Sequence, residues 1–155
     1  MSKRIGDTLP AEVLAALDGR DLAAKVGPAH LLLTGDEDGT PRPCMLSAGE
    51  LLAADEKTLR LALWPGTQTV ANLEQGRPAI FCYVAPGTVL YVRGSVRPLP
   101  DAELRNFELS VESVESDGHA GMPVTTGISF AIERGDPADV VAAWERQLAP
   151  LRSDP

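Results

Sequence analysis

The sequence is poor in the residues that build metal and disulfide sites. Of its 155 residues only two are cysteines, Cys44 and Cys82, and two are histidines, His30 and His119. The cysteines lie far apart without a CxxC pair, so the sequence predicts reduced thiols and neither a disulfide framework nor a zinc site. The acidic stretch 36–38 lacks the spacing and the closing glutamate of a calcium loop, and we interpret it as a solvated hairpin tip. No metal site is predicted.

A surplus of basic charge is also missing. Fourteen Lys and Arg face 22 Asp and Glu, which gives a formal net charge of -8. Electrostatic repulsion therefore argues against duplex nucleic acid as a partner, although a local cluster of donors can still bind a small anion. The first residues are basic but lack the apolar core of a secretory signal. The sequence predicts a cytoplasmic protein without nucleic-acid or membrane partners.

The common nucleotide-binding and hydrolase motifs do not occur. GxGxxG, GxxxxGK[ST], GxSxG and HExxH are all absent from the sequence, which argues against the enzymes that carry them. His30 lies in an apolar run and His119 in a glycine-rich loop, so we interpret them as a core imidazole and a solvated side chain. No catalytic acid, base or nucleophile is predicted.

Short β-rich runs and turn residues make up the middle of the chain. With 44% hydrophobic residues, the composition predicts one globular domain over residues 1–155. A first hairpin is predicted from 29–34 and 41–47, whose prolines restrict the second arm to a sheet edge. A third strand follows at 59–64, and a second hairpin joins 79–84 to 89–96 through a Pro-Gly type II turn.

Helices are predicted at both ends and between the strands. Two short helices open the domain, a brief one spans 67–75 with Thr67 as its cap, and Asp136 and Pro137 begin a C-terminal helix. Residues 101–116 fit both helical and alternating spacing, and we favour a helix. Residues 125–133 alternate and are predicted to close the sheet. The predicted fold class is mainly β with flanking helices (α+β), an antiparallel barrel of about six strands.

The start of the short central helix is the strongest local candidate for a ligand site. Free backbone amides around Thr67, Gln68 and Thr69, with hydroxyl groups beside them, are suited to a phosphate. A threonine at this place also serves simply as a helix cap. On the local residues both interpretations stand.

Four segments, at residues 31–43, 61–64, 67–78 and 89–96, carry motifs that together resemble the pyridoxamine 5′-phosphate oxidase-like, FMN-binding split-barrel superfamily. Residues 31–43 (LLLTGDEDGTPRP) resemble its opening strand and D-x-x-G-x-P pattern, and residues 61–64 (LALW) match a following strand. Residues 67–78 (TQTVANLEQGRP) resemble its S-x-K-x-x-N-L-x-x-N-P helix, and residues 89–96 (VLYVRGSV) its V-x-G-x-A strand. The order and spacing of the segments agree with the family.

The resemblance implies a six-stranded split β-barrel that forms a homodimer, with FMN in a groove between the subunits. Arg42 and Leu46 would flank the flavin, Trp64 would lie near its ring, and Thr67 would take the place of the hydroxyl residue that binds phosphate. Thr69 stands where the family usually has a phosphate-contacting lysine. In place of the lysine, Arg42 or the partner subunit's Arg93 would supply the positive charge that contacts the phosphate.

The resemblance implies a function as an FMN-dependent oxidoreductase, in which the flavin carries the redox chemistry. The candidate cofactor-binding residues are Arg42, Leu46, Trp64, Thr67, Gln68, Thr69 and Arg93. Because Thr69 replaces the lysine, a cofactor-free dimeric binding or structural protein of the same fold is an alternative. The family also has deazaflavin- and haem-binding members, which are further alternatives. The sequence does not predict a substrate.

Overall fold

The computed structural model describes residues 1–154, most of which contribute to a curled antiparallel sheet. The strands are β1 (Ser2–Gly6), β2 (His30–Gly35), β3 (Pro41–Leu46), β4 (Leu51–Asp55), β5 (Thr58–Leu63), β6 (Ala79–Ala85), β7 (Thr88–Pro98) and β8 (Arg105–Asp117). The α-helices are α1 (Ala11–Ala16), α2 (Gln68–Glu74) and α3 (Pro137–Leu148). Short 3₁₀ helices lie at Leu22–Lys25 and Ala149–Arg152. Within residues 1–154, no helix combines the length and the apolar character that a membrane crossing requires.

The strand order is β3-β2-β6-β7-β8-β5-β4, and β1 pairs with β8 beside this path. One edge of β8 pairs with β7, while its other edge pairs first with β5 and then with β1. The architecture is therefore mainly β: a curled antiparallel sheet that forms a half-barrel, with flanking helices. The prediction of six strands was wrong, because seven strands form the path and β1 adds to it.

Both predicted hairpins are confirmed, and their turns explain why. Gly39 and Gly87 adopt φ angles of 84°, which glycine tolerates without steric cost. Pro86 and Gly87 are thus suited to the central positions of a type II turn. β3, with its two prolines, lies at the sheet edge as expected.

The helix predicted over 101–116 is wrong, since residues 105–117 form strand β8. A β-bulge causes the misleading spacing. Gly94 pairs with Val111 and Arg93 with Ser113, so Glu112 is left over. The extra residue shifts the alternation, and Val111 and Val114 both face the core at a helix-like spacing of three.

The strand predicted over 125–133 is also wrong. Only one isolated bridge, between Pro28 and Ser129, forms in this segment. β2 is already paired on both edges by β3 and β6, so the segment can align only with the few residues that precede β2. β1 was not predicted, because four of its five residues are exposed and it has no apolar alternation.

Two clusters of buried apolar residues fill the molecule. The larger one lies inside the curled sheet and includes Leu32, Phe81 and Val92, all with 0% exposure. The smaller cluster lies on the other face of the sheet, between β5 and the C-terminal helix α3. It includes Ala62, Leu104 and Trp144. The helix α3 begins at Pro137 as predicted, and Asp136 Oδ1 accepts a hydrogen bond from Ala138 N.

Candidate functional site

The predicted cap of α2 is confirmed. Thr67 Oγ1 accepts a hydrogen bond from Val70 N at 3.3 Å and donates one to the backbone oxygen of Trp64 at 3.3 Å. The Thr67 hydroxyl is therefore engaged in starting the helix. Trp64, just before this turn, is 55% exposed.

A buried asparagine ties α2 to the first hairpin. Asn72 has no exposed surface, and its Nδ2 donates to Thr34 Oγ1 at 3.0 Å and to Asp36 Oδ1 at 2.8 Å. Its Oδ1 accepts from Gln68 Nε2 at 3.0 Å. All the hydrogen-bonding atoms of its side-chain amide thus find partners, which a polar group without solvent access requires.

Asp36 extends this network to Arg42. The guanidinium donates from Nε at 2.8 Å and from Nη2 at 2.7 Å to the two carboxylate oxygens, a bidentate pair. These hydrogen bonds from Arg42, and next the one from Asn72, lower the pKa of Asp36 from 3.8 to about 2. Arg42 is thereby held by Asp36, which is itself held to α2 through Asn72.

Two hollows lie on either side of Gln68, which lines both. The first, of about 330 Å³, is lined further by Pro65, Gly66, Thr67, Val70, Ala71, Glu74 and Arg105. The second, of about 460 Å³, is lined further by Asp36, Glu37, Asp38 and Arg42. The structure therefore brings Arg42, Thr67 and Gln68 of the predicted set to one region.

Three other predicted residues are placed differently. Leu46 is 3% exposed and belongs to the main core. Thr69 is 5% exposed and lies near the Cys44 thiol, whose pKa is raised mainly by burial. Arg93 lies on β7 and pairs with Glu115 at 3.5 Å. Neither hollow beside Gln68 is lined by any of these three side chains.

Arg105 was missed by the sequence analysis. It lies at the start of β8, opposite Leu63, and forms ion pairs with Glu74 and Asp101. Its Nε is buried and has no hydrogen-bond partner among residues 1–154. The incorrect helix over 101–116 concealed its position. Asn72 was also missed, although its spacing of four from Gln68 is a signal for contact on a helix.

The two histidines lie as predicted. His30 is buried, at 8% exposure, and His119 is exposed. Both cysteines are free and half-buried. Within residues 1–154, no three side chains of His, Cys, Asp or Glu are grouped as a metal ion would require.

The outer face of the sheet carries apolar side chains across four strands. Register places two rows side by side on β3, β2, β6 and β7, on the face opposite the main core. One row is Met45, Leu31, Cys82 and Tyr91, and the other is Pro43, Leu33, Ile80 and Arg93. Met45 is 58% exposed.

No protein-family model matches the chain. The uncharacterized protein YclD of Bacillus subtilis is 35% identical over 141 residues, which cover 88% of this chain and 90% of YclD. A crystal structure of a proposed pyridoxamine 5′-phosphate oxidase from Lactobacillus delbrueckii superposes with a TM-score of 0.58, at 16% identity, over 72% of this chain and 98% of that one. HupZ of group A Streptococcus superposes with a TM-score of 0.56, at 13% identity, over 76% and 99%.

Proposed function

Because the chain belongs to one family with YclD and has the fold of the pyridoxamine 5′-phosphate oxidase-like split barrels, we propose that it is a homodimeric FMN-binding protein that works as a flavin-dependent oxidoreductase. The observation that carries this proposal is the pair of hollows beside Gln68, which lie at the segment that resembles the family's phosphate-binding helix. A bound flavin would supply the electron or hydride transfer. The residues of the chain would bind and orient it.

The residues at the first hollow fit a phosphate group through Arg105. An orphaned N–H that is shielded from water is costly, by about 1–3 kcal/mol, unless a ligand or a small rearrangement gives it an acceptor. The buried Nε of Arg105 is such a group, and the same side chain lines the hollow with Thr67 and Gln68. Arg105 is therefore the cation that would replace the lysine missing at residue 69.

Trp64 and Arg42 fit the remainder of such a ligand. The half-exposed indole of Trp64 precedes the helix turn and offers an apolar face, which aromatic ring systems prefer. Arg42, fixed by Asp36 and Asn72, borders the second hollow with three acidic side chains. A phosphate is disfavoured on that acidic side, so the first hollow would take the phosphate.

The apolar outer face supports a dimer. A large contiguous apolar surface on a sheet is typical of a protein contact rather than of a solvated face. The two rows that include Met45 and Leu31 bring apolar side chains of β3, β2 and β6 together on this face, with Arg93 at the margin on β7. Pairing of two copies over this face would bring Arg93 close to the partner's surface, where it could complete a shared site.

One observation favours a second candidate function, a cofactor-free dimeric binding protein. Both cations beside Gln68 already have carboxylate partners, Arg42 with Asp36 and Arg105 with Glu74 and Asp101. Thr69 is buried and offers no charge. A phosphate must compete with these carboxylates, so the two candidates differ in whether FMN displaces Glu74 from Arg105.

A fluorescence titration of FMN against dialysed protein separates the two. We expect saturable quenching by the wild type, and an affinity about tenfold to a hundredfold lower for Arg105→Gln, since one charge-assisted hydrogen bond is lost. Glu74→Gln removes the competing carboxylate and should tighten binding. Arg146→Gln, on exposed α3, is the matched control and should bind like the wild type.

The same FMN titration can refute the proposal. Absence of quenching up to millimolar FMN in the wild type and in Glu74→Gln would favour the cofactor-free function. A shift of the haemin Soret band on mixing, or saturable binding of a deazaflavin without FMN binding, would instead assign one of the other cofactors.

A further inference from the structure

A separate hollow, of about 460 Å³, lies at one end of the sheet, where β1, the end of β8 and the turn between β6 and β7 meet. Its lining contains a lysine, a histidine and two hydroxyl groups but no carboxylate, although the chain as a whole has a net charge of -8. The hollow is therefore a local exception in an acidic protein, and it suits an anion. The lining residues are Met1, Lys3, Ile5, Gly87, Thr88, Ser116, Gly118, His119 and Ala120.

Strand register places Lys3, Ser116 and Thr88 on the same face of three neighbouring strands. Lys3 on β1 lies directly opposite Ser116 on β8, and side chains of opposed residues share a face. The hydroxyl oxygens of Ser116 and Thr88 lie 2.7 Å apart and hydrogen-bond each other, which puts Thr88 of β7 on that face as well. This bond uses one of the two hydroxyl protons, and the other has only a long contact of 3.4 Å, from Thr88 Oγ1 to the Val89 oxygen. The pair can therefore still donate to and accept from a ligand.

The ammonium group of Lys3 has no carboxylate on its own face of β8. Glu115 and Asp117 lie on the opposite face by alternation along the strand. There Glu115 pairs with Arg93 at 3.5 Å, and Asp117 Oδ2 accepts a hydrogen bond from Tyr91 Oη at 3.0 Å. Lys3 takes part in none of the ion pairs among residues 1–154. Its charge is thus available to an anion in the hollow.

The loop that closes the hollow is held in place by hydrogen bonds. Gly87 N donates to the Val124 oxygen at 3.0 Å, and Met122 N donates to the His119 oxygen at 3.1 Å. His119 Nδ1 lies 2.7 Å from the Ala120 oxygen, and because a carbonyl oxygen only accepts, Nδ1 carries the proton in this bond. The wall that carries His119 is therefore anchored to the turn between β6 and β7.

We propose that this hollow binds a small carboxylate that also carries hydroxyl groups, as a sugar acid does. Lys3 pairs with the carboxylate, and the hydroxyl groups of Thr88 and Ser116 exchange hydrogen bonds with those of the ligand. An uncharged polyol lacks the ion pair, and an aliphatic carboxylate covers the two hydroxyl groups without bonding them. None of these residues lines the hollows beside Gln68, so this site is independent of flavin binding.

Gluconate, sorbitol and hexanoate are suitable probes, because sorbitol lacks the carboxylate of gluconate and hexanoate lacks its hydroxyl groups. We expect gluconate to cause saturable shifts of the Thr88, Ser116 and Gly118 amide signals in NMR spectra of the full-length protein. Sorbitol should bind about fivefold more weakly, which corresponds to one ion pair with the exposed Lys3. Hexanoate should bind about tenfold more weakly, because it makes no hydrogen bonds with the two hydroxyl groups.

Two variants separate the contribution of the charge from that of the hydroxyl groups. Lys3→Gln should abolish the preference for gluconate over sorbitol and keep the preference over hexanoate. Thr88→Val, which has nearly the same shape, should reduce the preference over hexanoate and keep the preference over sorbitol. Arg134→Gln removes one positive charge at an exposed residue outside the hollow, and it is the matched control that should behave like the wild type.

A third variant leaves these side chains intact and changes the shape of the hollow. A Cβ at residue 118 would lie 3.0 Å from the Gly87 oxygen and 3.2 Å from Thr88 Oγ1. Gly118→Ala therefore crowds the pair of hydroxyl groups and should weaken gluconate binding. Equal affinities for the three probes, an unchanged preference over sorbitol in Lys3→Gln, or no saturable shift with the wild type would each overturn the proposal.

Discussion

At the scale of single residues, Asp36 connects the first hairpin with α2. Its carboxylate accepts two hydrogen bonds from Arg42 and one from Asn72, and its pKa is lowered to about 2. A carboxylate whose pKa is lower in the folded protein stabilises the fold above its unfolded pKa, near 4, and this stabilisation is lost as the pH falls towards 2.

Asp36→Asn should therefore lower the free energy of unfolding by a constant amount above about pH 5, and by progressively less between about pH 4 and pH 2. Urea unfolding of wild type and variant across this pH range measures the difference. Glu37→Gln, at the exposed tip of the same hairpin, serves as control and should show little difference at any pH. A wild-type advantage that does not change with pH would contradict the assigned role of the carboxylate.

Gly49 illustrates a glycine that is required by close packing. A Cβ at this position would lie 2.0 Å from Cγ of Trp144, whose indole is 6% exposed. Gly49→Ala must displace α3, and overpacking of this kind costs about 1–3 kcal/mol. Thermal unfolding should show a clear fall in Tm, whereas Gly6→Ala, which meets nothing within 4 Å, should have almost no effect. Equal melting temperatures for the two variants would refute the packing argument.

At the scale of elements, the sequence predicts what depends on local chemistry. The two hairpins follow from glycine turns and β-rich arms, and α2 and α3 follow from their Thr67 and Asp136 caps. For strand β8 the local spacing favoured a helix over the correct alternating interpretation, because a bulge against β7 shifts the alternation. A Cβ on Gly94 would lie 1.9 Å from the backbone oxygen of Ser110, so the bulge depends on a contact between distant residues.

The C-terminal 3₁₀ helix is held to the sheet by a buried arginine. Arg60 Nη1 donates to the backbone oxygens of Leu151 at 2.7 Å and Ser153 at 3.1 Å, while its Nε donates to Glu108 at 2.9 Å. Burial alone would raise the pKa of Glu108, but hydrogen bonds from Arg60 and Arg97 outweigh it and leave the pKa lowered. Arg60 therefore works together with the fully buried Leu151 side chain and with the hydrogen bond from Arg152 Nη2 to the Gly19 oxygen at 2.7 Å.

Arg60→Met should cost about 3 kcal/mol of unfolding free energy, because a buried carboxylate loses one partner and two carbonyl groups lose their donor. Urea unfolding measures this loss, and hydrogen exchange should show faster exchange in residues 149–152. Arg146→Met, on the exposed part of α3, is the control and should change neither. Unchanged exchange in the C-terminal element would show that Arg60 does not hold it.

At the scale of the whole molecule, the sequence predicts which face of a strand a side chain lies on, but not which other strands lie beside it. The alternation that puts Arg93 and Tyr91 on one face of β7 and Leu90 and Val92 on the other is visible in the local sequence. The same alternation contains no information on which strands lie beside β7. The position of Arg105 beside α2 likewise depends on the pairing of β8 with β5, which the local sequence does not encode.

The proposed dimer leads to a prediction at this scale. Met45→Glu places a charge in the apolar rows, and desolvating it in an interface is unfavourable. We expect light scattering to give twice the 16.4 kDa chain mass for the wild type and a shift towards monomer for the variant. Met122→Glu, at an exposed methionine outside these rows, should stay dimeric. A monomeric wild type would refute the dimer.

The attachment of β1 to β8 has a kinetic consequence. Arg4 reaches the backbone of Glu112 across 108 positions of the chain, and nearly all of β1 is exposed. Closing so long a loop is entropically costly, and β1 brings little apolar burial to offset it. We therefore expect the strand to join the sheet after the core has condensed and to detach while the core stays intact, so that its amides exchange by local fraying rather than by global unfolding.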